Sequence, residues 1–289
     1  MRKTVGLFTL LLLCGSAFAG FEEGQTAFNA KDYATALSEW QPLADRGSLP
    51  AEYGLGLLYN DGLGVNEDAE KAVALFRDGA ERGYAPAELK LAEAYRLGHG
   101  INHDSAQAVR WYHKAADQGD PDALLIFGQM FSHGEGVVQS DSEALRWLTR
   151  AAAKGKAEAD YDIAIIYGNG SGINQDYTVA ASWMRKAADL GFVPAQIALG
   201  SFYMKGHGVD QDYPLAYYWV SRAALQGSAA AITGRKQIAA EMGYFDMRKA
   251  HQLVDEWIKA NPQPAATSAA PPANHMPESG GLGASTVSP

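Results

Sequence analysis

The 289-residue chain has one cysteine, Cys14, and it falls in the opening stretch MRKTVGLFTLLLLCGSAFA. That stretch has a basic start at Arg2 and Lys3 and a mostly apolar run from Val5 to Leu13, and ends with Ala17-Phe18-Ala19 in the small-x-small pattern of a cleavage site. The run is too short to cross a bilayer, so residues 1–19 read as a Sec-type secretory signal peptide cut after Ala19. A lipoprotein signal places a small residue directly before its cysteine; Leu13 stands there, so acylation of Cys14 is not expected. A chain beginning at Gly20 then carries no cysteine, which excludes disulfides even in an oxidising compartment and leaves stability to packing. The expected location is the periplasm, or outside the cell.

Other absences narrow the function. No later segment is apolar enough to span a membrane, so membrane insertion is not expected. Basic residues are few: without Arg2 and Lys3, 22 stand against 33 acidic ones, a net charge of −11. An acidic chain with no basic run is a poor match for nucleic acid or anionic lipid. The signatures S-x-x-K, G-x-S-x-G and H-E-x-x-H are all missing. Ser171 has glycine on both sides, but Asn169 stands where a nucleophile elbow needs glycine. The histidines (His99, His103, His113, His133, His207, His251 and His275) are scattered. No catalytic, cofactor or metal site is expected. Large apolar residues are nearly absent from the last segment, 262–289, which cannot bury enough surface to offset ordering and is expected to be a disordered Pro/Ala/Ser/Gly tail.

What is present is a repeat. Five gapless segments of 36 residues follow one another: 48–83, 84–119, 120–155, 156–191 and 192–227. The fourth position is always alanine (Ala51, Ala87, Ala123, Ala159, Ala195). An apolar residue follows four on (Leu55, Leu91, Phe127, Ile163, Leu199), then a small one (Gly56, Ala92, Gly128, Ala164, Gly200), then an aromatic one (Tyr59, Tyr95, Phe131, Tyr167, Tyr203). Apolar residues four apart make one face of a helix, and the small residue lets a neighbouring helix approach. A second helix is marked by Ala72, Ala108, Ala144, Ala180 and Ala216, followed three residues later by Leu75, Trp111, Trp147, Trp183 and Trp219. Its large and small side chains alternate, as interdigitated helices require. Gly83, Gly119, Gly155, Gly191 and Gly227 close the repeats, where a helix C-terminus needs positive φ.

Between the helices lies G-x-G-[VI], with Gly62/Gly64, Gly98/Gly100, Gly134/Gly136, Gly170/Gly172 and Gly206/Gly208. The first glycine can end helix one, the second can permit the return, and Val65, Ile101, Val137, Ile173 and Val209 can anchor the loop. Asp68, Asp104, Asp176 and Asp212 are placed to cap helix two; Asp141 is displaced by one residue. In isolation YRLGHGINHD, residues 95–104, could be a phosphate loop or a metal site. The repeat argues for neither: no strand precedes it, its glycines close a helix, and its histidines fall at variable positions.

Taken together, A-x-x-x-L-G-x-x-Y, G-x-G-V, A-x-x-W and K-A-A-x-x-G resemble the Sel1-like repeat family, relatives of the tetratricopeptide repeats, over residues 48–227. Repeat one departs with Leu75 for tryptophan. The resemblance implies an all-α fold, a right-handed α/α superhelix (a solenoid) of stacked antiparallel helix pairs, about fourteen helices in all. Residues 20–47, with Ala36, Trp40 and Gly47 in a helix-two stripe, and 228–261, with Ala250, Leu253, Val254 and Trp257, then serve as capping pairs without the glycine loop.

It also implies a monomeric protein-binding scaffold whose groove is made by the first helices, at the sixth, tenth, thirteenth and fourteenth positions of each repeat. Those are Tyr53, Leu57, Asn60 and Asp61, then Leu89, Glu93, Arg96 and Leu97. Next come Leu125, Gln129, Ser132 and His133, then Tyr161, Ile165 and Asn169, then Ile197, Ser201, Met204 and Lys205. Leu89, Leu125 and Ile197 could equally be core. The partner is unidentified. A scaffold or adaptor for envelope assembly or signalling ranks first. An immunity protein that neutralises a delivered toxin is the alternative, and a β-lactam hydrolase ranks last.

Overall fold

The computed structural model describes residues 20–170 and 172–262. The expected signal peptide (1–19), and all but the first residue of the expected tail, lie outside the described residues. Every regular element among the described residues is an α-helix. The N-terminal cap is α1 (20–29) and α2 (Tyr33–Ala44). The first helices of the five repeats are α3 (Leu49–Asp61), α5 (Ala85–Leu97), α7 (Pro121–His133), α9 (Ala157–Asn169) and α11 (Val193–Lys205). Their second helices are α4 (Ala69–Glu81), α6 (Ser105–Asp117), α8 (Asp141–Ala152), α10 (Tyr177–Asp189) and α12 (Tyr213–Leu225). α13 (Ala229–Ala240) and α14 (Tyr244–Ala260) complete fourteen helices. None is long and apolar enough to cross a membrane.

Local chemistry sets the boundaries. Each first helix ends on the first loop glycine, at φ between 63° and 72°, a left-handed conformation that side chains with a Cβ resist. Side chains of Asp68, Asp104, Asp176 and Asp212 accept backbone N–H groups at the start of the second helices. In the third repeat Ser140 caps instead, accepting from Glu143 N at 3.3 Å, and Asp141 is the first helical residue. The displaced aspartate therefore leaves the cap filled, by a hydroxyl.

One further bond folds every loop back on its own helix, and a second does so in repeats two to five. The backbone N–H of Asp68, Asp104, Ser140, Asp176 and Asp212 donates to the carbonyl of the repeat's aromatic residue, at 2.8 to 3.0 Å. Gln139, Gln175 and Gln211 reach the carbonyls of Ser132, Gly168 and Met204 at 2.9, 2.7 and 2.7 Å. His103 occupies the matching position and brings Nδ1 to 2.8 Å from the Arg96 carbonyl. The second histidine of YRLGHGINHD is thus a loop clasp that satisfies an orphan carbonyl at a helix end.

The second loop glycines do more than permit the tight return expected of them. Gly64, Gly100, Gly136, Gly172 and Gly208 have φ between 67° and 71°, and each lies beside the start of the preceding unit's second helix. A Cβ on Gly64 would stand 2.7 Å from Tyr33 Cβ, and one on Gly100 or Gly208 would run into the backbone carbonyl of Ala69 or Tyr177. On Gly136 it would meet Val109 Cγ2 at 3.0 Å, whereas on Gly172 nothing comes nearer than Asp141 Cβ at 3.6 Å. At Gly64, Gly100 and Gly208 the missing Cβ therefore serves stacking between units as well as the loop's own dihedral. At Gly172 positive φ alone makes the demand, and at Gly136 a valine methyl adds a little to it.

The small residue after the apolar position faces the repeat's own second helix. A Cβ on Gly128 would meet Leu148 at 2.7 Å, and Gly56 and Gly200 stand in the same way against Phe76 and Val220. Each second helix packs on its own first helix and on the next one, so the core runs continuously along the stack. Within the five repeats the first helices α7 and α9 also approach one another, whereas no two second helices make a contact of that extent. The stack therefore curves toward its first helices.

At the N-terminus Trp40 is buried between Gly24 and Gly54, and its indole N–H donates to the Phe21 carbonyl at 3.3 Å. At the other end α14 lies along α12 rather than pairing with α13. Without the glycine loop, the three residues Glu241 to Gly243 join the helices too tightly for a sixth repeat. Ala250 is fully buried, Leu253, Val254 and Trp257 half-buried. Lys249 Nζ reaches Asp212 at 3.0 Å, and the Arg222 guanidinium sits 4.5 Å from the Trp219 ring and 5.0 Å from that of Trp257.

Candidate functional site

The inner face of the curve carries the positions singled out in the sequence. At the sixth position Tyr53, Tyr161 and Ile197 are half-buried, but Leu89 and Leu125, at 8% and 5% exposure, belong to the core. Both pack into the same continuous core as Leu91 and Phe127. At the tenth position Leu57, Glu93, Gln129 and Ser201 are half-buried and Ile165 is exposed. Asn60, Arg96, Ser132 and Met204, at the thirteenth, are half-buried. Asp61, Leu97, His133, Asn169 and Lys205, at the fourteenth, are exposed.

Contacts between neighbouring repeats join these residues into one strip. The Tyr53 ring meets that of Tyr84 edge-on at 5.8 Å, and Tyr161 meets Phe192 at 5.4 Å. Arg96 donates from Nε to the Tyr112 hydroxyl at 3.3 Å and approaches Glu135 of the next repeat at 3.7 Å. Gln129 donates from Nε2 to Asp162 Oδ2 at 2.8 Å, bridging α7 to α9, and His133 Nδ1 lies 2.8 Å from the Gln129 carbonyl.

The electrostatics follow from crowding. Burial pushes the Asp162 carboxyl up to about 6; the Gln129 bond and His133 act against it, and Glu158 adds to it. Burial also raises the Tyr53 phenol to about 12, with Glu93 contributing, and the Tyr112 phenol to about 12. Both phenols stay neutral at physiological pH. The strip thus offers hydrogen-bond donors and acceptors, aromatic edges and exposed aliphatic side chains. That mixture suits a folded or extended polypeptide better than a uniformly charged polymer.

Asp162, Lys90, Tyr84 and Phe192 belong to this strip and were not among the positions read from the sequence. Asp162 and Lys90 fall at the seventh position, occupied by Gly54, Lys90, Ile126, Asp162 and Ala198. It varies as much as the sixth and tenth, which is the signal that could have found it. The tryptophans have a role beyond packing. Trp111, Trp147 and Trp219 are buried and Trp183 half-buried. Each has a cation from three residues further on over its ring: Lys114 at 3.8 Å, Arg150 at 4.6 Å, Lys186 at 3.5 Å and Arg222 at 4.5 Å. Repeat one lacks both partners, with Leu75 and Asp78 in their places.

The Sel1 repeat family model matches residues 49–84, 85–120, 121–156, 157–192 and 193–228. No curated protein matches the sequence. Among solved structures, c5321, a protective antigen of uropathogenic Escherichia coli with an SLR fold, is 29% identical with a TM-score of 0.74, covering 88% of this chain and 57% of its own. A Sel1 repeat protein from Oxalobacter formigenes is 36% identical with a TM-score of 0.64, covering 71% of this chain and 59% of its own. The chain thus spans less than two thirds of either relative. With five consecutive repeats matched and these likenesses extending over the stack, the chain belongs to the Sel1 repeat family.

Proposed function

We propose that the protein binds a protein partner along the inner strip of first helices and acts as a non-catalytic scaffold for envelope assembly or signalling. The observation that carries this reading is the contrast along each first helix. Framework positions repeat and are buried, while the accessible inner positions differ from repeat to repeat and connect across repeats through Gln129–Asp162 and Arg96–Glu135. Variation on a fixed frame is how a solenoid acquires one partner. The signal peptide expected over residues 1–19 supports a periplasmic setting. The acidic balance, net −9 for the whole chain, favours a partner with a basic face, and a delivered toxin neutralised by this chain is a second occupant of that kind.

Site-directed photo-crosslinking in periplasm tests this. A crosslinker at Ile165, in the strip, should trap a discrete partner; one at Arg146, exposed on α8 of the outer side, should not. Ile165→Arg should cut capture at least about tenfold, the loss of one central anchor, with an unchanged melting temperature. Equal trapping from both positions would refute the groove as the binding face. The trapped protein's identity decides between assembly factor and toxin.

A further inference from the structure

Two positions of the repeat form a polar ladder on the side away from the groove. The fifth, in the first turn of the first helix, reads Glu52, Glu88, Leu124, Asp160, Gln196. The thirty-fifth, before the closing glycine, reads Arg82, Gln118, Lys154, Leu190, Gln226. Arg82 Nη1 lies 3.0 Å from both carboxylate oxygens of Glu52. Gln118 donates to Glu88 at 2.8 Å, and Gln226 to Gln196 at 2.9 Å. In the third repeat Leu124 needs no partner.

The fourth repeat breaks the pattern. Asp160 is 4% exposed, and the position that should supply its donor is Leu190. Among the described residues no group donates a hydrogen bond to the Asp160 carboxylate and no ion pair reaches it within 4.0 Å. Lys186 holds its ammonium over the Trp183 ring instead, 3.5 Å from the centroid. Burial raises the Asp160 carboxyl above the usual range, and the Lys186 charge only opposes this. Its carboxylate therefore depends on solvent in the adjoining cleft for donors, whereas its three polar counterparts in the ladder are satisfied from within the chain.

The carboxylate is not sealed in. Asp160 lines an open cleft of about 590 Å³ between the ends of α8 and α10, with Thr149, Ala152, Trp183, Lys186 and Leu190. The equivalent cleft of the first repeat includes Glu52, and there Arg82 already holds the carboxylate. We propose that the Asp160 cleft receives an arginine side chain from a protein partner, which supplies from outside the guanidinium that Arg82 supplies to Glu52 from within. Arginine fits better than lysine: the planar fork bonds both carboxylate oxygens and is less hydrated. Leu190, 58% exposed at the mouth, can cover its aliphatic stem. The second helices form the outer side of the curve, so this contact is separate from the groove.

The test is a titration of the full chain with N-acetyl-arginine methylamide, following the Trp183 indole N–H by NMR. The wild type should show a saturable shift, at least about threefold weaker with the lysine analogue. L190R places a guanidinium at the ladder position, so it should abolish the shift and raise the melting temperature. Asp160→Asn, which keeps the shape and removes the charge, should abolish the shift as well. No saturable shift in the wild type, or a wild-type response in either variant, would overturn the proposal. Ile165→Arg should leave the titration unchanged, which separates this result from any failure of the groove reading.

Discussion

Asp162 shows what a concave surface does to a carboxylate. It is accessible, yet packed closely enough for burial to raise its pKa to about 6. Its unfolded value is near 3.8, so between the two the folded chain binds the extra proton. Stability from this group is therefore lost as pH rises through about 6 and is regained in full below about 4. Asp162→Asn keeps an acceptor for Gln129 and removes the charge. It should raise unfolding free energy at pH 7.5 by about 1–2 kcal/mol, discounted from the roughly 3 kcal/mol that two pKa units represent, and by nothing measurable at pH 4. Urea unfolding at both pH values checks this, and an equal effect at both would refute the assignment. Glu52, Glu88, Asp141 and Asp160 are also shifted upward, with burial the leading cause, but they are common to both proteins and cancel in the difference.

At the scale of elements, the sequence was clearest where it repeats. Helix identity, the terminating glycines and four of the five aspartate caps could be read because five copies average away local exceptions. What could not be read was single-copy or relational. Ser140 as a cap and α14 against α12 have no second copy to compare. The Glu52–Arg82 ladder joins positions thirty residues apart, and nothing in helical periodicity links them. The same holds for Gly100 and Gly208: their invariance reads as a loop requirement, while the carbonyls that exclude a side chain belong to the unit before. Asp162 lies outside the sixth, tenth, thirteenth and fourteenth positions, and Leu89 and Leu125 stay open between groove and core in the sequence because an apolar residue reads alike on a groove wall and in a core. The α14 arrangement has a direct consequence. Trp257→Ala removes one wall of the Arg222 site and should cost about 1–3 kcal/mol. Amide exchange should then quicken in α14 while α13 keeps its protection. If α13 and α14 lose protection together, they form a pair and the packing on α12 is wrong.

For the whole molecule, a stack in which each repeat touches only its neighbours should tolerate loss of a middle unit. Deleting residues 120–155 joins Gly119 to Lys156 in register, and both flanking interfaces use the same framework positions. The fold should survive, with a smaller denaturant dependence because less surface is buried. The inner strip would change in one defined way. Glu93, whose carboxylate lies 2.7 Å from Lys90 Nζ in a partly exposed pair, takes the place of Gln129, so a carboxylate faces Asp162 where an amide donated to it. Two like charges in a crowded groove raise each other's pKa, and the sign is that of Asp162 alone: stability falls as pH rises. The four-repeat protein should therefore lose about 1–2 kcal/mol more than the intact chain between pH 5 and 7.5. Glu93→Gln restores the amide, so in the shortened protein it should return the pH dependence to that of the parent. If instead the shortened chain shows the parent's pH profile without that substitution, the repeats do not re-stack in register, and the inner strip is not the continuous surface on which partner binding depends.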